Sequence, residues 1–120
     1  MEIRFYKNKT TNEISLSLKE IDDNNLTLLV PNTTDAALEK HVPEVTIEDN
    51  KVHVVVGSVI HPMTDAHHIA FITLVTNHKA EMKKLNPTGE PKADFTLTEG
   101  EKVLAVYEYC NLHGLWVKQF

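Results

Sequence analysis

The run Ile69-Ala70-Phe71-Ile72-Thr73-Leu74-Val75 is apolar at every position except Thr73. A strand formed by such a run has apolar side chains on both of its faces. Strands of this kind lie in the middle of a sheet that is covered on two sides. The run therefore predicts a central β-strand in a packed core.

Other short runs on both sides of this strand are rich in β-branched and aromatic residues or alternate apolar with polar residues. These runs are residues 14–18, 42–47, 52–56, 95–97 and 103–109. Clusters of Asp, Asn, Gly and Pro separate them, and residues 35–40 allow one helical turn at most. Many short strands with regular turn signals predict an antiparallel β-sandwich or barrel.

The length of 120 residues predicts one ordinary domain, or one domain with a short appendage. A soft boundary near Pro31-Asn32-Thr33 divides a polar N-terminal segment, residues 1–33, from a main body, residues 34–120. An apolar content of 42% is enough for a core without disulfides.

A net charge of -5 without a basic run argues against nucleic-acid and membrane-surface partners. We find no signal-peptide pattern at the N-terminus and no apolar run of bilayer-spanning length. The lone Cys110 cannot form an internal disulfide and suits a reducing compartment. These features predict a cytoplasmic protein.

Cys110 and His113 lie three residues apart at the end of a predicted strand, so a thiolate and an imidazole could bind one ion. Alone, this pair is better explained as a buried structural cysteine beside an incidental histidine. Three more histidines lie at strand–loop junctions: His41, His61 after the strand-like residues 52–60, and His67 before the central strand. Singly each would be a solvated loop histidine, whereas together they indicate a metal site.

Four motifs, in their order and spacing, resemble those of superoxide reductases, the desulfoferrodoxin and neelaredoxin group. The motifs are Glu39-Lys40-His41-Val42-Pro43, His61-Pro62-Met63, His67 and Tyr109-Cys110-Asn111-Leu112-His113-Gly114. The gaps of twenty residues from His41 to His61 and of six from His61 to His67 also match. The resemblance covers roughly residue 34 to the C-terminus and is more specific than any single motif.

This resemblance implies an all-β, immunoglobulin-like antiparallel sandwich with a short N-terminal β segment. It also implies one mononuclear iron, with Cys110 as the axial ligand, that reduces superoxide to hydrogen peroxide by one electron. The equatorial ligands that it implies are His41, His61, His67 and His113. Independently, one thiolate with several imidazoles suits iron, copper or zinc rather than magnesium or calcium.

The resemblance gives Lys40 the role of attracting superoxide and ordering a proton-delivering water, and Glu39 that of closing over the vacant iron position. Without the resemblance, Glu39 and Lys40 would be interpreted as an ordinary pair of solvated charges. The six-residue gap from His61, which matches the family, selects His67 over His68. Because neighbouring strand residues point to opposite faces, both should not bind one iron. His53 and His78 lie outside the pattern and are expected to be structural or surface residues.

Many desulfoferrodoxins have a second iron held by four cysteines in the N-terminal segment. In this chain Asn8 and Thr11 replace the first cysteine pair, so we expect no second metal there. The resemblance then implies direct electron transfer from rubredoxin or a similar small donor. We expect a homodimer, with a homotetramer as the alternative.

The main rival is a blue-copper-like electron-transfer protein, a sandwich with an upstream histidine and a late cysteine–histidine pair. That class normally adds an axial methionine, and no methionine follows His113. A structural zinc site is a second rival, but five candidate ligands are one too many for a closed tetrahedral site. Dismutation of superoxide at the same iron is a third.

Overall fold

A computed structural model describes residues 2–120 of the chain. Its elements, in chain order, are β1 (Arg4–Asn8), β2 (Ile14–Ser17), β3 (Leu26–Leu29), α1 (Leu38–His41), β4 (Pro43–Glu48), β5 (Lys51–Val56), β6 (Ile69–Thr76), β7 (Ala80–Lys84), β8 (Lys92–Thr96), β9 (Val103–Cys110) and β10 (Gly114–Gln119). All pairings between strands are antiparallel among these residues. The predicted antiparallel all-β fold is therefore confirmed.

The chain divides into two compact units, of which the first ends at Val30 and the second comprises Pro31–Phe120. The first unit is a three-stranded sheet in the order β2-β1-β3. Its turn after β1 is held by the Asn8 side chain, whose Oδ1 accepts the backbone N–H groups of Thr10 at 2.8 Å and Thr11 at 3.0 Å. The same oxygen accepts Asn25 Nδ2 at 3.2 Å. A hydrogen-bonded turn thus occupies the position where the resemblance would place the first cysteine pair.

The second unit contains a four-stranded sheet, β10-β9-β6-β7, and a three-stranded sheet, β4-β5-β8. Apolar side chains from both sheets form one core cluster, so the two sheets face each other as in a sandwich. In β5 the buried residues alternate, because Val52, Val54 and Val56 point into this core. Fully burying an aliphatic side chain of this kind contributes about 1.5–3 kcal/mol.

The run 69–75 forms β6, which lies between β9 and β7 and is buried at all but one position. This confirms the predicted central strand. Among residues 2–120, no helix has both the length and the apolar character required to cross a bilayer.

The end of β5 at Val56 confirms the predicted run 52–56, and the strand-like stretch does not continue to residue 60. The chain turns at Gly57, where an added Cβ would lie 2.7 Å from the carbonyl oxygen of Glu39 and 2.9 Å from that of Val42. The backbone N–H of Val59 then donates to the same Glu39 oxygen at 2.8 Å. The close approach that Gly57 permits brings α1 against the end of β5.

Candidate metal centre

Cys110 is the last residue of β9, and its thiol is fully buried. It is paired with Ile69 on β6 and with Gly114 on β10, so two neighbouring strands fix its position. Burial raises the pKa of the thiol, and the backbone N–H groups of Leu112 and His113 oppose that change by hydrogen bonding to the sulfur. A metal ion would have to displace the thiol proton, because the thiolate is the ligand.

His41 ends α1 and is buried. Its Nδ1 lies 2.7 Å from the carbonyl oxygen of Ala37, which can only accept, so Nδ1 carries the ring proton and Nε2 keeps a lone pair. The indole of Trp116 stacks on this ring at a centroid distance of 4.9 Å and an interplanar angle of 29°. Both contacts orient the imidazole before any metal binds.

His61 follows the turn after β5 and is also buried. Its backbone N–H donates to the Val56 carbonyl at 2.9 Å, and its Nδ1 donates to the Pro62 carbonyl at 2.7 Å. The tautomer is therefore the same as in His41. Nε2 of His61 is buried without a hydrogen-bond partner in the described part of the chain.

His67 lies in a tight turn two residues before β6. Two backbone hydrogen bonds between Thr64 and His67, of 2.9 and 3.2 Å, close this turn. The His67 ring lies 4.6 Å from that of His61 and 5.2 Å from that of His113, centroid to centroid. Its Nε2 is a second buried nitrogen that has no hydrogen-bond partner within residues 2–120.

His113 lies in the turn between β9 and β10. Its Nδ1 is 3.0 Å from Nε2 of His41 and 3.8 Å from Sγ of Cys110. The indole N–H of Trp116 donates to the His113 carbonyl at 3.1 Å. The structure thus brings all four sequence-predicted histidines to the predicted cysteine.

The ligand atoms of His41, His61, His67 and Cys110 all lie within 4.8 Å of one another. Burial lowers the pKa of all three histidines, that of His61 to about 4, so their imidazoles are neutral at pH 7. Neutral imidazoles offer lone pairs to a metal. No other group of three or more such ligands occurs in the part of the chain that the structure describes.

This donor set fits an iron ion. Buried ring nitrogens without hydrogen bonds are costly, and a shared metal ion would satisfy both of those found at His61 and His67. One soft thiolate among imidazoles selects a transition metal over the hard cations that prefer oxygen. The residues whose ligand atoms converge and would hold it are His41, His61, His67 and Cys110, and His113 lies beside them with Nδ1 3.8 Å from Cys110 Sγ.

Glu39 and Lys40 are exposed on α1, immediately before His41. Burial is the main cause of the lowered pKa of His41 and His67, and the positive charge of Lys40 adds to it in both. Lys40 is therefore close enough to the cluster to influence charge there.

The remaining predicted histidines lie apart from the cluster. The ring of His68 is turned towards its own loop, where Nδ1 lies 3.0 Å from the Thr64 carbonyl oxygen. His53 pairs with the Asp94 carboxylate at 2.7 Å on the surface. His78 is an exposed residue of the turn after β6.

Sequence reasoning missed two buried residues beside the cluster. Trp116 contacts both His41 and His113, and the signal for it was a tryptophan three residues after a candidate ligand. Glu108 is fully buried without a hydrogen-bond partner for either carboxyl oxygen among residues 2–120. Burial raises its pKa well above the ordinary value, which favours the neutral form of this carboxyl group. Its period-two spacing from Cys110 was the available signal.

Comparisons with known proteins agree on one family. The family model described as Desulfoferrodoxin matches residues 33–119. The chain is 53% identical over 89 residues to a desulfoferrodoxin from Clostridium acetobutylicum, which covers 73% of this chain and 68% of that protein. It is 39% identical over 95 residues to a superoxide reductase from Thermococcus kodakarensis, with coverage of 65% and 83%.

Solved structures give the same result. The crystal structure of the superoxide reductase from Treponema pallidum superposes with a TM-score of 0.88 at 36% identity, covering 99% of this chain and 100% of that one. A superoxide reductase from Giardia intestinalis gives a TM-score of 0.59 at 34% identity, with coverage of 68% and 97%. On the fold, the ligand cluster and these matches, the chain belongs to the desulfoferrodoxin family.

Proposed function

We propose that this protein is a superoxide reductase that converts superoxide to hydrogen peroxide at a single iron ion. The observation that carries the proposal is the convergence of the ligand atoms of His41, His61, His67 and Cys110 within 4.8 Å. The relatives named superoxide reductase support the same activity.

In the proposed site the imidazoles of His41, His61, His67 and His113 and the thiolate of Cys110 would hold the iron. When bound, the iron supplies one electron to superoxide, and the thiolate favours its oxidation by donating electron density. Burial keeps the imidazoles of His41, His61 and His67 neutral, and the Ala37 and Pro62 carbonyls fix those of His41 and His61. Such preorganisation holds the ligands in place without rearrangement.

Lys40 and Glu39 are the proposed catalytic residues outside the ligand set. The exposed Lys40 ammonium attracts the superoxide anion to a chain whose net charge is -5, and it orders a water that delivers a proton. Superoxide takes up one electron and two protons to give hydrogen peroxide. Glu39, also exposed on α1, is proposed to supply a carboxylate that would bind the oxidised iron when substrate is absent.

The electron must come from a second protein if the first unit holds no metal. We propose that residues 1–33 form a metal-free segment and that residues 34–120 form the iron-binding domain. The chain has one cysteine, and Asn8 occupies the turn where a cysteine pair would lie. Three expectations stay predictions. The electron donor is rubredoxin or a similar small protein, the oligomer is a homodimer or homotetramer, and the location is cytoplasmic.

A blue-copper-like electron carrier is not favoured. That class uses two imidazoles and a thiolate with a weak axial ligand. Here four imidazoles surround the thiolate, and the family match covers the whole cluster.

The proposal is tested by mixing anaerobically reduced, iron-loaded protein with superoxide and measuring the peroxide formed. A reductase gives one peroxide for each superoxide, whereas a dismutase gives one for every two. Cys110→Ser should abolish the reaction, and His53→Ala should retain it because His53 lies outside the cluster. Full turnover by Cys110→Ser at wild-type iron content would refute the axial role of the thiolate.

A further inference from the structure

Asn111 is an exposed residue of the turn that carries the cysteine and the last histidine of the site. Its side-chain amide reaches across to the loop before β6. Oδ1 accepts the backbone N–H of His68 at 2.8 Å, and Nδ2 donates to the Ala66 carbonyl at 3.0 Å. The backbone N–H of Asn111 donates to the His68 carbonyl at 3.2 Å. Three hydrogen bonds therefore join two segments that are more than forty residues apart.

The two residues that the Asn111 side chain contacts lie directly before and after His67. Rotation of the backbone at either of them would swing the imidazole away from Cys110. We infer that Asn111 is a positioning residue, which fixes the His67 ring relative to Cys110 by bonding both flanks of His67. This inference rests on the proposed iron site and adds a residue to it.

His67 needs such a connection more than the other ligands do. His41 and His61 each donate Nδ1 to a nearby carbonyl oxygen. The hydrogen bonds within the His67 turn run to Thr64, so they define the shape of the turn but do not attach it to Cys110. Asn111 makes that attachment.

The polarity of the contact suits an amide. The His68 N–H requires an acceptor and the Ala66 carbonyl requires a donor, and the two ends of one Asn side chain provide both. An aspartate at this position would keep the acceptor and lose the donor. An alanine would lose both.

Asn77 offers a matched control in the same unit. Its Oδ1 accepts the Lys102 N–H at 2.8 Å and its Nδ2 donates to the Gly100 carbonyl at 3.2 Å. Its backbone N–H donates to the Lys102 carbonyl at 3.2 Å. Asn77 thus makes hydrogen bonds of the same three kinds to the two residues that flank Glu101, and Glu101 is not a proposed ligand.

The experiment compares the iron-loaded wild type with Asn111→Ala, Asn111→Asp and Asn77→Ala. It measures the rate of iron release to a chelator and the sulfur-to-iron absorption band of the oxidised protein. Asn111→Ala should release iron about tenfold faster, with a shifted band, as expected when a partner that orients a ligand is lost. Asn111→Asp should fall between it and the wild type, and Asn77→Ala should match the wild type in both measurements.

Wild-type release and an unshifted band in Asn111→Ala would overturn the inference. Equal changes in Asn77→Ala would overturn it too, because they would reflect a general loss of stability. If circular dichroism shows that Asn111→Ala does not fold, the iron-release rate and the absorption band of Asn111→Asp test the inference instead. If the wild type holds iron but yields no peroxide, the proposed function is refuted. The role of Asn111 is still tested in that case, because the rate of iron release does not depend on peroxide formation.

Discussion

Nε2 of His41 and Nδ1 of His113 lie 3.0 Å apart, although 72 residues separate them in the chain. Since Nδ1 of His41 donates to Ala37, the proton between the two rings must belong to His113. A metal that binds both nitrogens requires this proton to leave Nδ1 of His113. The short contact therefore preforms two corners of the site.

Iron binding near pH 7 should release the thiol proton of Cys110. Burial raises the pKa of the thiol, so it is protonated at pH 7, whereas burial lowers the pKa of His41, His67 and His61, the last to about 4. Among these four ligands only the thiol must then be deprotonated, and iron affinity should rise with pH. Calorimetric titration in buffers of different ionisation enthalpy counts the protons. Release of none, or of three or more, would contradict this account.

Lys40→Ala should slow the capture of superoxide several-fold. The ammonium raises the local concentration of an anion that the net charge of the chain repels. Its removal should also flatten the dependence of the rate on ionic strength, because less attraction remains for salt to screen. Pulse radiolysis over a range of salt concentrations measures both effects.

Lys118→Ala is the control for this variant, since Lys118 is an exposed lysine near the far end of β10. It removes the same charge away from α1 and should leave the salt dependence as in the wild type. An unchanged rate in Lys40→Ala would remove Lys40 from the mechanism.

The strands that build the core were predictable because the positions of their apolar side chains along the sequence show which faces are buried. β6 is buried on both faces and β5 alternates, so each is visible in the sequence alone. β7 is not, because Ala80–Lys84 is polar and partly exposed and becomes a strand only by pairing with β6. β1, β3 and β10 were also absent from the prediction.

The ligands were predictable because their identity and spacing carry the chemistry. The groups that orient them were not, since their contacts depend on which strands become neighbours. Trp116 reaches His41 only after β10 has paired with β9, and Asn111 reaches His68 only across the loop before β6. Gly57 has its role only because α1 lies against it.

Glu101→Gln should destabilise the protein at pH 7 by about 1–3 kcal/mol, the usual cost of losing hydrogen bonds to a charged group. The hydroxyl of Thr76 at 2.6 Å, helped by the N–H and hydroxyl of Thr98, lowers the pKa of the Glu101 carboxyl to about 2. A depressed pKa stabilises the fold above the unfolded value of about 4.3, and this stability is lost as pH falls towards 2. The difference from the wild type should therefore shrink over that range in urea unfolding.

The control is Glu99→Gln, which changes an exposed carboxylate in the same turn. It should leave the acid dependence as in the wild type. A Glu101→Gln variant whose deficit stays constant between pH 5 and pH 2 would be inconsistent with the assigned role of the carboxylate.

Asn8→Ala should loosen the turn after β1 without affecting the iron. The Asn8 side chain accepts the N–H groups of Thr10 and Thr11, and alanine offers no acceptor. Loss of about 1 kcal/mol corresponds to roughly fivefold faster amide exchange at those two residues. Hydrogen exchange followed by NMR measures it. If a chelator that removes the iron had the same effect on these amides in the wild type, the metal-free assignment of this segment would be wrong.

The most direct test is a crystal structure of the iron-loaded protein with data collected at the iron absorption edge. We expect one anomalous peak per chain, within bonding distance of Cys110 Sγ, of Nε2 of His41, His61 and His67, and of Nδ1 of His113. An iron peak elsewhere, or a peak at the histidines with the Cys110 sulfur out of reach, would contradict the account.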